Sequence, residues 1–205
     1  MAQQADHWDT VYTTKSADSV SWYQVRPEAS IEALARLDLG EPLSLIDVGG
    51  GASNLVDALL DKAWCDLTVL DIAQPALDAA KARLGPRAAD VDWIATDITR
   101  WRPDRTYAIW HDRAVFHFLT EPADRVGYRA ALERGLAPGG ALLRATFALG
   151  GPERCSGLPI MQYSPESLSA ELGATFRLDA SWREDHMTPS GGLQAFNWCL
   201  FRRID

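Results

Sequence analysis

"LIDVGGGASNLV", residues 45–56, is a short apolar run that ends in an acid and three consecutive glycines before the chain turns helical. An apolar run without polar alternation reads as a strand buried on both faces, and residues 54–64, NLVDALLDKAW, set Leu55, Leu59 and Leu60 at helical spacing. A strand that feeds a helix through glycines is the opening unit of an α/β sheet, so the question is which ligand the glycines admit. A phosphate loop is excluded, because no lysine follows them. A dinucleotide fingerprint fits only in part: Gly49 and Gly51 have its first spacing, but Asn54 stands in the third glycine's place. Asp47 at the strand end would also repel a pyrophosphate, whereas an acid beside a glycine turn suits a cationic partner.

Working outward, apolar runs and helical segments alternate. DLTVLDI (66–72) reads as a second strand ending near Asp71, and QPALDAAKARLG (74–85) as a helix with Pro75 in its first turn and Gly85 as its stop. VDWIATDI (91–98) and YAIWHD (107–112) are the third and fourth strands, and EPADRVGYRAALERGLAPGG (121–140) is a helix stopped by Pro138 and a Gly139-Gly140 turn before ALLRATFAL (141–149). SPESLSAELG (164–173) is one more helix, and then the rhythm breaks. TFRLDASWREDH (175–186) and LQAFNWCLFRR (193–203) are strands with no room for a helix between them, which predicts an antiparallel pair at one sheet edge. The last strand puts Phe196, Trp198 and Leu200 on one face and Ala195, Asn197, Cys199 and Phe201 on the other. The expected fold is α/β: a Rossmann-like doubly wound sheet of about seven strands with a terminal antiparallel pair, plus an N-terminal helical cap. The cap spans residues 1–40, with a helix from Ser30 to Leu39 carrying Ile31, Leu34 and Leu37 on one stripe, and residues 41–205 form the main domain.

The chain's 205 residues fit one domain, able to bury roughly 70% of its unfolded surface. A formal net charge of -8 opposes nucleic acid and anionic membranes. No apolar run approaches the roughly 20 residues of a membrane span, and the N-terminus lacks the signature of a secretory signal, so the expected location is cytoplasmic. Cys65, Cys155 and Cys199 share no metal-ligand spacing, and with four scattered histidines no metal site is expected.

The order Asp47-Val-Gly49-Gly50-Gly51, then Asp71 ending the second strand, then Asp97 after the third, resembles the class I S-adenosylmethionine-dependent methyltransferases over nearly the whole chain. The resemblance implies that S-adenosyl-L-methionine is bound and S-adenosyl-L-homocysteine produced, with Asp47 and the glycines against the amino-acid part of the cofactor. It implies Asp71, beside Ile72, on the ribose hydroxyls, and Asp97 with Ile98 at the adenine amine. The chemistry is consistent, since ribose and adenine offer donors to carboxylates and the ligand carries an ammonium and a sulfonium. NAD is the nearest competitor, because Asp71 would serve its ribose equally well.

The acceptor is read from the stretch after the fourth strand. WHDRAVFHFLT (110–120) resembles the corresponding segment of thiopurine and other small-thiol methyltransferases, and the opening and closing segments resemble an uncharacterised bacterial group. His111 at the strand end is the candidate base and a second contact for the cofactor, with Asp112 as its holder or as an ion-pair partner of Arg113. His117, among apolar residues, reads as a core histidine. His186 and Gln194 flank the MTPSGG turn, and Cys155 reads as an exposed thiol in a mobile loop. Trp8 and Tyr12 are expected to dock the cap and Trp22 and Tyr23 to act as a lid, Trp22 over the sulfonium. The reading is methyl transfer to a small-molecule acceptor, a thiol or other soft nucleophile, by in-line displacement. A protein lysine target and a non-catalytic cofactor-binding protein are the alternatives. Oligomeric state cannot be read from the sequence.

Overall fold

The computed structural model describes residues 2–14, 20–37 and 43–205. Two helices precede the sheet, α1 (Ala2–Thr14) and α2 (Glu28–Ala35). The sheet strands are β1 (Leu45–Val48), β2 (Leu67–Asp71), β3 (Val91–Ala95), β4 (Tyr107–Arg113), β5 (Leu136–Phe147), β8 (Phe176–Met187) and β9 (Leu193–Arg203). Helices α3 (Leu55–Leu60), α4 (Gln74–Leu84), α5 (Pro122–Gly135) and α6 (Pro165–Leu172) connect them, and a two-residue pair, β6 (Arg154–Cys155) with β7 (Leu158–Pro159), lies outside the main sheet. The seven strands run in the order β3-β2-β1-β4-β5-β9-β8. The first five are parallel, and β9 is antiparallel to both β5 and β8. The order reverses direction at β1, so the ligand crevice opens where β1 and β4 end.

The sheet is covered on both faces, as the unalternated apolar strands require. On one face α2, α3 and α4 bury Leu34, Leu55, Leu59 and Leu77 against Leu45, Val69, Ile109, Leu143 and Trp198. On the other, α5 and α6 bury Tyr128, Leu132, Leu168 and Leu172 against Ile46, Leu70, Trp110, Leu142 and Phe201. The alternation expected along β9 holds: Phe196, Trp198 and Leu200 join the first core, Cys199 and Phe201 the second.

Several boundaries differ from the sequence reading, each for a local reason. Helix α3 ends at Leu60 because Ala63 takes a positive φ of 60° and Trp64 N–H turns back to the Leu59 carbonyl. Helix α5 stops at Gly135, where a Cβ would meet Trp110 and Pro103 at 2.8 and 2.9 Å, not at Pro138. Pro138-Gly139-Gly140 is absorbed inside β5 as a register shift against β4 between Tyr107 and Ile109. The third strand stops at Ala95, which leaves Asp97 on the loop beyond it. Helix α2 begins two residues before Ser30 and ends at Ala35, short of the expected Leu39, where Leu37 N–H turns back to the Leu34 carbonyl; the cap boundary at residue 40 lies outside the described residues. Helix α1 was not anticipated; Trp8, Val11 and Tyr12 share one side of it at i, i+3, i+4 spacing, and Val11 is buried.

Candidate active site

Three strand ends build a cleft of about 800 Å³, and a second cavity of about 570 Å³ continues it through Gly49, Arg113, Tyr12 and Trp22. The larger is lined by Leu70, Asp71, Ile72, Asp97, Ile98 and Val115, with the aromatic rings of α1 across from them. The smaller is lined by Asp47, Gly49, Gly50, Asn54, Ser30 and His111. All the sequence-predicted cofactor residues except Gly51 therefore border one continuous space, and Gly51 adjoins it through Asp71.

The glycines are needed by the acids as well as by any ligand. Gly49 has φ of +71°, and a Cβ there would lie 2.0 Å from Val115 Cγ2. A Cβ at Gly50 would lie 2.4 Å from Asp47 Oδ2, and one at Gly51 2.4 Å from Asp71 Oδ2. Both carboxylates fold back over bare backbone, so Gly50 and Gly51 leave room for side chains that accept.

The three acids differ in how their oxygens are met. Asp71 is buried and takes a hydrogen bond from Ala73 N–H at 2.9 Å. Burial, then the neighbouring Asp47 charge, push its pKa to about 7 despite the backbone donors of Ala73, Gly51 and Ile72. Asp97 uses Oδ1 for Thr99 N–H and Oγ1, at 2.9 and 2.8 Å. Asp47 accepts from His111 Nδ1 at 2.7 Å through Oδ1, while its buried Oδ2 has no partner among the described residues. A buried carboxylate with an unused oxygen is costly unless a ligand completes it. Residues and space therefore fit S-adenosyl-L-methionine: two acids for ribose and adenine donors, and a third for an ammonium.

On β4 the alternation separates residues that the sequence reading had joined. His111 sits beside Asp47 in register and faces α2, where its Nε2 meets Ser30 Oγ at 3.0 Å. The holder of His111 is therefore Asp47, not Asp112, and both ring nitrogens are occupied. Asp112 points to the opposite face and lines neither cavity. It is fully buried and accepts from Tyr128 Oη at 2.6 Å, Val115 N–H at 3.0 Å and Phe116 N–H at 3.4 Å, with Arg144 alongside at 3.5 Å. Nor do Asp112 and Arg113 pair. Arg113 donates to Glu184 on β8 at 2.8 Å, lies over the Phe196 ring, and lines both cavities. Nothing in single-sequence spacing links Arg113 to Glu184, or Ser30 to His111.

The remaining candidates divide clearly. His117 is a core histidine: it is fully buried, accepts weakly from Phe147 N–H at 3.4 Å, and burial lowers its pKa to about 3. His186 donates through Nε2 to the Ser21 carbonyl at 2.8 Å, tying the cap to the edge strand, and Gln194 lies opposite it in register. Cys155 is buried rather than exposed and lines the larger cavity; burial raises its thiol pKa to about 11. Trp8, Tyr12 and Trp22 all line that cavity, with ring centroids 5.5 Å apart for Trp8–Trp22 and 5.1 Å for Trp8–Phe118. Docking and lining are one role for these rings. Tyr23 lies on the smaller cavity. Among the described residues there is no metal-ligating cluster and no helix long and apolar enough to cross a membrane.

Comparison with known proteins agrees with this geometry. Residues 45–140 match the family model described as a methyltransferase domain. Trans-aconitate 2-methyltransferase of Methylobacterium radiotolerans is 34% identical over 66% of this chain and 47% of that protein. Malonyl-(acyl-carrier protein) O-methyltransferase of Anoxybacillus flavithermus is 30% identical over 56% of this chain and 43% of that protein. The matches thus span about half the length of these curated relatives. Among solved structures, 1,6-didemethyltoxoflavin-N1-methyltransferase of Burkholderia thailandensis, bound to S-adenosylhomocysteine, superposes with a TM-score of 0.74 at 21% identity, covering 100% of this chain and 88% of that one.

Proposed function

We propose that this chain acts as a class I S-adenosylmethionine-dependent methyltransferase, related to bacterial small-molecule methyltransferases, and that it methylates a small-molecule acceptor by direct in-line displacement. The observation that carries this reading is the set of three acids, Asp47, Asp71 and Asp97, bordering one cleft at successive strand ends, with the buried Asp47 Oδ2 left without a partner among the described residues. When bound, S-adenosyl-L-methionine supplies a methyl group made electrophilic by its sulfonium. Asp71 and Asp97, flanked by Ile72 and Ile98, hold the ribose and adenine donors. Asp47 with the Gly49–Gly51 turn takes the amino-acid end, and Trp22 with Trp8 and Tyr12 closes the water side. Residues 2–14 and 20–37 act as the cap over the strand ends.

The protein contributes alignment and exclusion of water more than proton transfer. His111 is tied at both nitrogens, His117 is held neutral in the core, and His186 is spent on Ser21. Burial keeps the Tyr12 hydroxyl and the Cys155 thiol protonated. With these groups engaged or held protonated, the nucleophile is one that arrives soft or already anionic: a thiolate, or a carboxylate of the kind aconitate carries. Arg113, which lines both cavities, is the cation positioned for it. A protein lysine would need a group to strip its ammonium proton, and His111, His117 and His186, each already engaged, do not offer one.

Calorimetric titration with S-adenosyl-L-methionine, S-adenosyl-L-homocysteine and NAD tests the cofactor. Micromolar binding of the first two and none of the third is expected; NAD binding in their place overturns the reading. Transfer of labelled methyl to small thiols and polycarboxylates, against bulk protein, then tests the acceptor, and binding without any turnover would leave a cofactor-binding protein.

A further inference from the structure

Asp47 is an unusual acid for its burial. Its side chain is only 5% exposed, it receives a single protein hydrogen bond, from His111, and its Oδ2 has no partner among the described residues. Its rotamer is held by that one bond together with contact against Gly50, where no Cβ stands in the way. His111 is itself fixed on its far side by Ser30 on α2, which is 2% exposed. A carboxylate only accepts, so Nδ1 carries the proton shared with Asp47, and Nε2 pairs with the Ser30 hydroxyl. All three residues line the smaller cavity, the one built by the glycine turn.

We propose that Ser30 and His111 are positioning residues: the chain Ser30 Oγ to His111 to Asp47 holds the Asp47 carboxylate so that its free oxygen receives the cofactor's ammonium, registering the cap helix to the amino-acid end of the ligand. The proposal rests on the S-adenosylmethionine reading above and extends it to a residue outside the sheet. It also explains why a histidine at the end of β4 is not available as a base: it is held between an acid below and a hydroxyl above. The chain resembles a Ser-His-Asp array only in composition, because the serine is buried in a helix and the aspartate, not the serine, is the end that meets ligand.

The test compares two ligands that differ only at the end in question. S-Adenosyl-L-homocysteine carries the ammonium and carboxylate, while 5′-methylthioadenosine keeps the adenosine and thioether and lacks both. Binding of each to wild-type protein and to Ser30→Ala, His111→Asn and His111→Ala is measured by calorimetry. His111→Asn retains an amide donor in the place of Nδ1, so it keeps the link to Asp47 and loses the one to Ser30. Ser30→Ala and His111→Asn are expected to weaken S-adenosyl-L-homocysteine by about 3- to 10-fold, and His111→Ala by more than about 10-fold. Methylthioadenosine should bind all four proteins within about twofold, and that binding itself certifies that each variant is folded. Equal weakening of both ligands would make the chain merely structural and overturn the proposal, as would unchanged S-adenosyl-L-homocysteine affinity in Ser30→Ala. Wild-type protein that binds neither ligand would overturn the cofactor reading itself, and this proposal with it.

Discussion

Asp112→Asn and Arg144→Met remove the two halves of one buried ion pair, and the structure predicts that their costs differ sharply. The residues lie opposite each other on β4 and β5, 3.5 Å apart, and each is 0% exposed. Asp112 has three further partners, the Tyr128 hydroxyl and the Val115 and Phe116 amides. Arg144 has none: its Nε, Nη1 and Nη2 make no hydrogen bond among the described residues, and it lies over the rings of Phe116 and Tyr128, at 4.0 and 4.7 Å. Asp112→Asn is nearly isosteric but leaves a guanidinium that cannot shed its charge, a loss of about 3–5 kcal/mol. Arg144→Met leaves a carboxyl with three donors, which also has protonation open to it, so about 1–2 kcal/mol is expected. For a chain of this size 1 kcal/mol moves Tm by about 2–4 °C, giving falls of about 6–20 °C and about 2–8 °C respectively. Urea melts of both single variants and the double variant supply the measurement, and the double variant should lie close to Arg144→Met. If Arg144→Met costs as much as Asp112→Asn, or the two losses simply add, the asymmetry of partners does not govern the pair and the reasoning fails.

Other outcomes follow from the cleft. Gly51→Ala, whose Cβ would lie 2.4 Å from Asp71 Oδ2 and 2.9 Å from Ala76 Cβ, should weaken S-adenosyl-L-homocysteine more than about 10-fold in calorimetry by displacing the Asp71 carboxylate. Asp71 has its folded pKa raised to about 7, so the free protein holds that proton more tightly than the unfolded chain. Its contribution to stability is present below the ordinary aspartate value near 4 and is lost as pH rises through 7. Cofactor affinity runs the other way, because ribose hydroxyls donate to the ionised form; it should fall by up to about tenfold per unit below pH 7, and Asp71→Asn should flatten that dependence. In thiol labelling, exposed Cys65 should react at once and Cys199, buried with its pKa raised to about 12, not at all in the native state. Cys155 should react slowly and more slowly still with S-adenosyl-L-homocysteine present; indifference to ligand would mean that its place in the cavity wall is wrong.

The parts of this molecule that follow from short-range pattern were legible before any coordinates. Apolar runs, helix stops at Gly85 and Gly173, and the alternation through Phe196 to Phe201 gave the strands, the order of layers and the antiparallel edge. The acids Asp47, Asp71 and Asp97 were legible because each sits at a strand end, a place that sequence rhythm locates to within a residue or two. What escaped depends on contacts between distant segments. Ser30 meets His111 across 81 positions and Arg113 meets Glu184 across 71, and no periodicity encodes either pair. The expectation of an exposed Cys155 failed for the same reason, since a Gly/Pro-rich loop in the sequence does not reveal that the thiol turns inward.

Strand β4 carries two unrelated tasks on alternate residues. His111 and Arg113 belong to the ligand side, while Trp110 and Asp112 belong to the packing beneath α5. Such interleaving makes the strand editable one face at a time: substitutions at the odd positions can retune what the cleft accepts without touching the support under it. It also makes the strand intolerant of insertion. Removing one residue before Ile109 would bring Asp112 up against Ser30 and drive His111 under Tyr128, and adding one would set Trp110 against Ser30, so either change exchanges the two tasks in a single step. Homologues that diversify at this strand should therefore vary in residue type far more readily than in length.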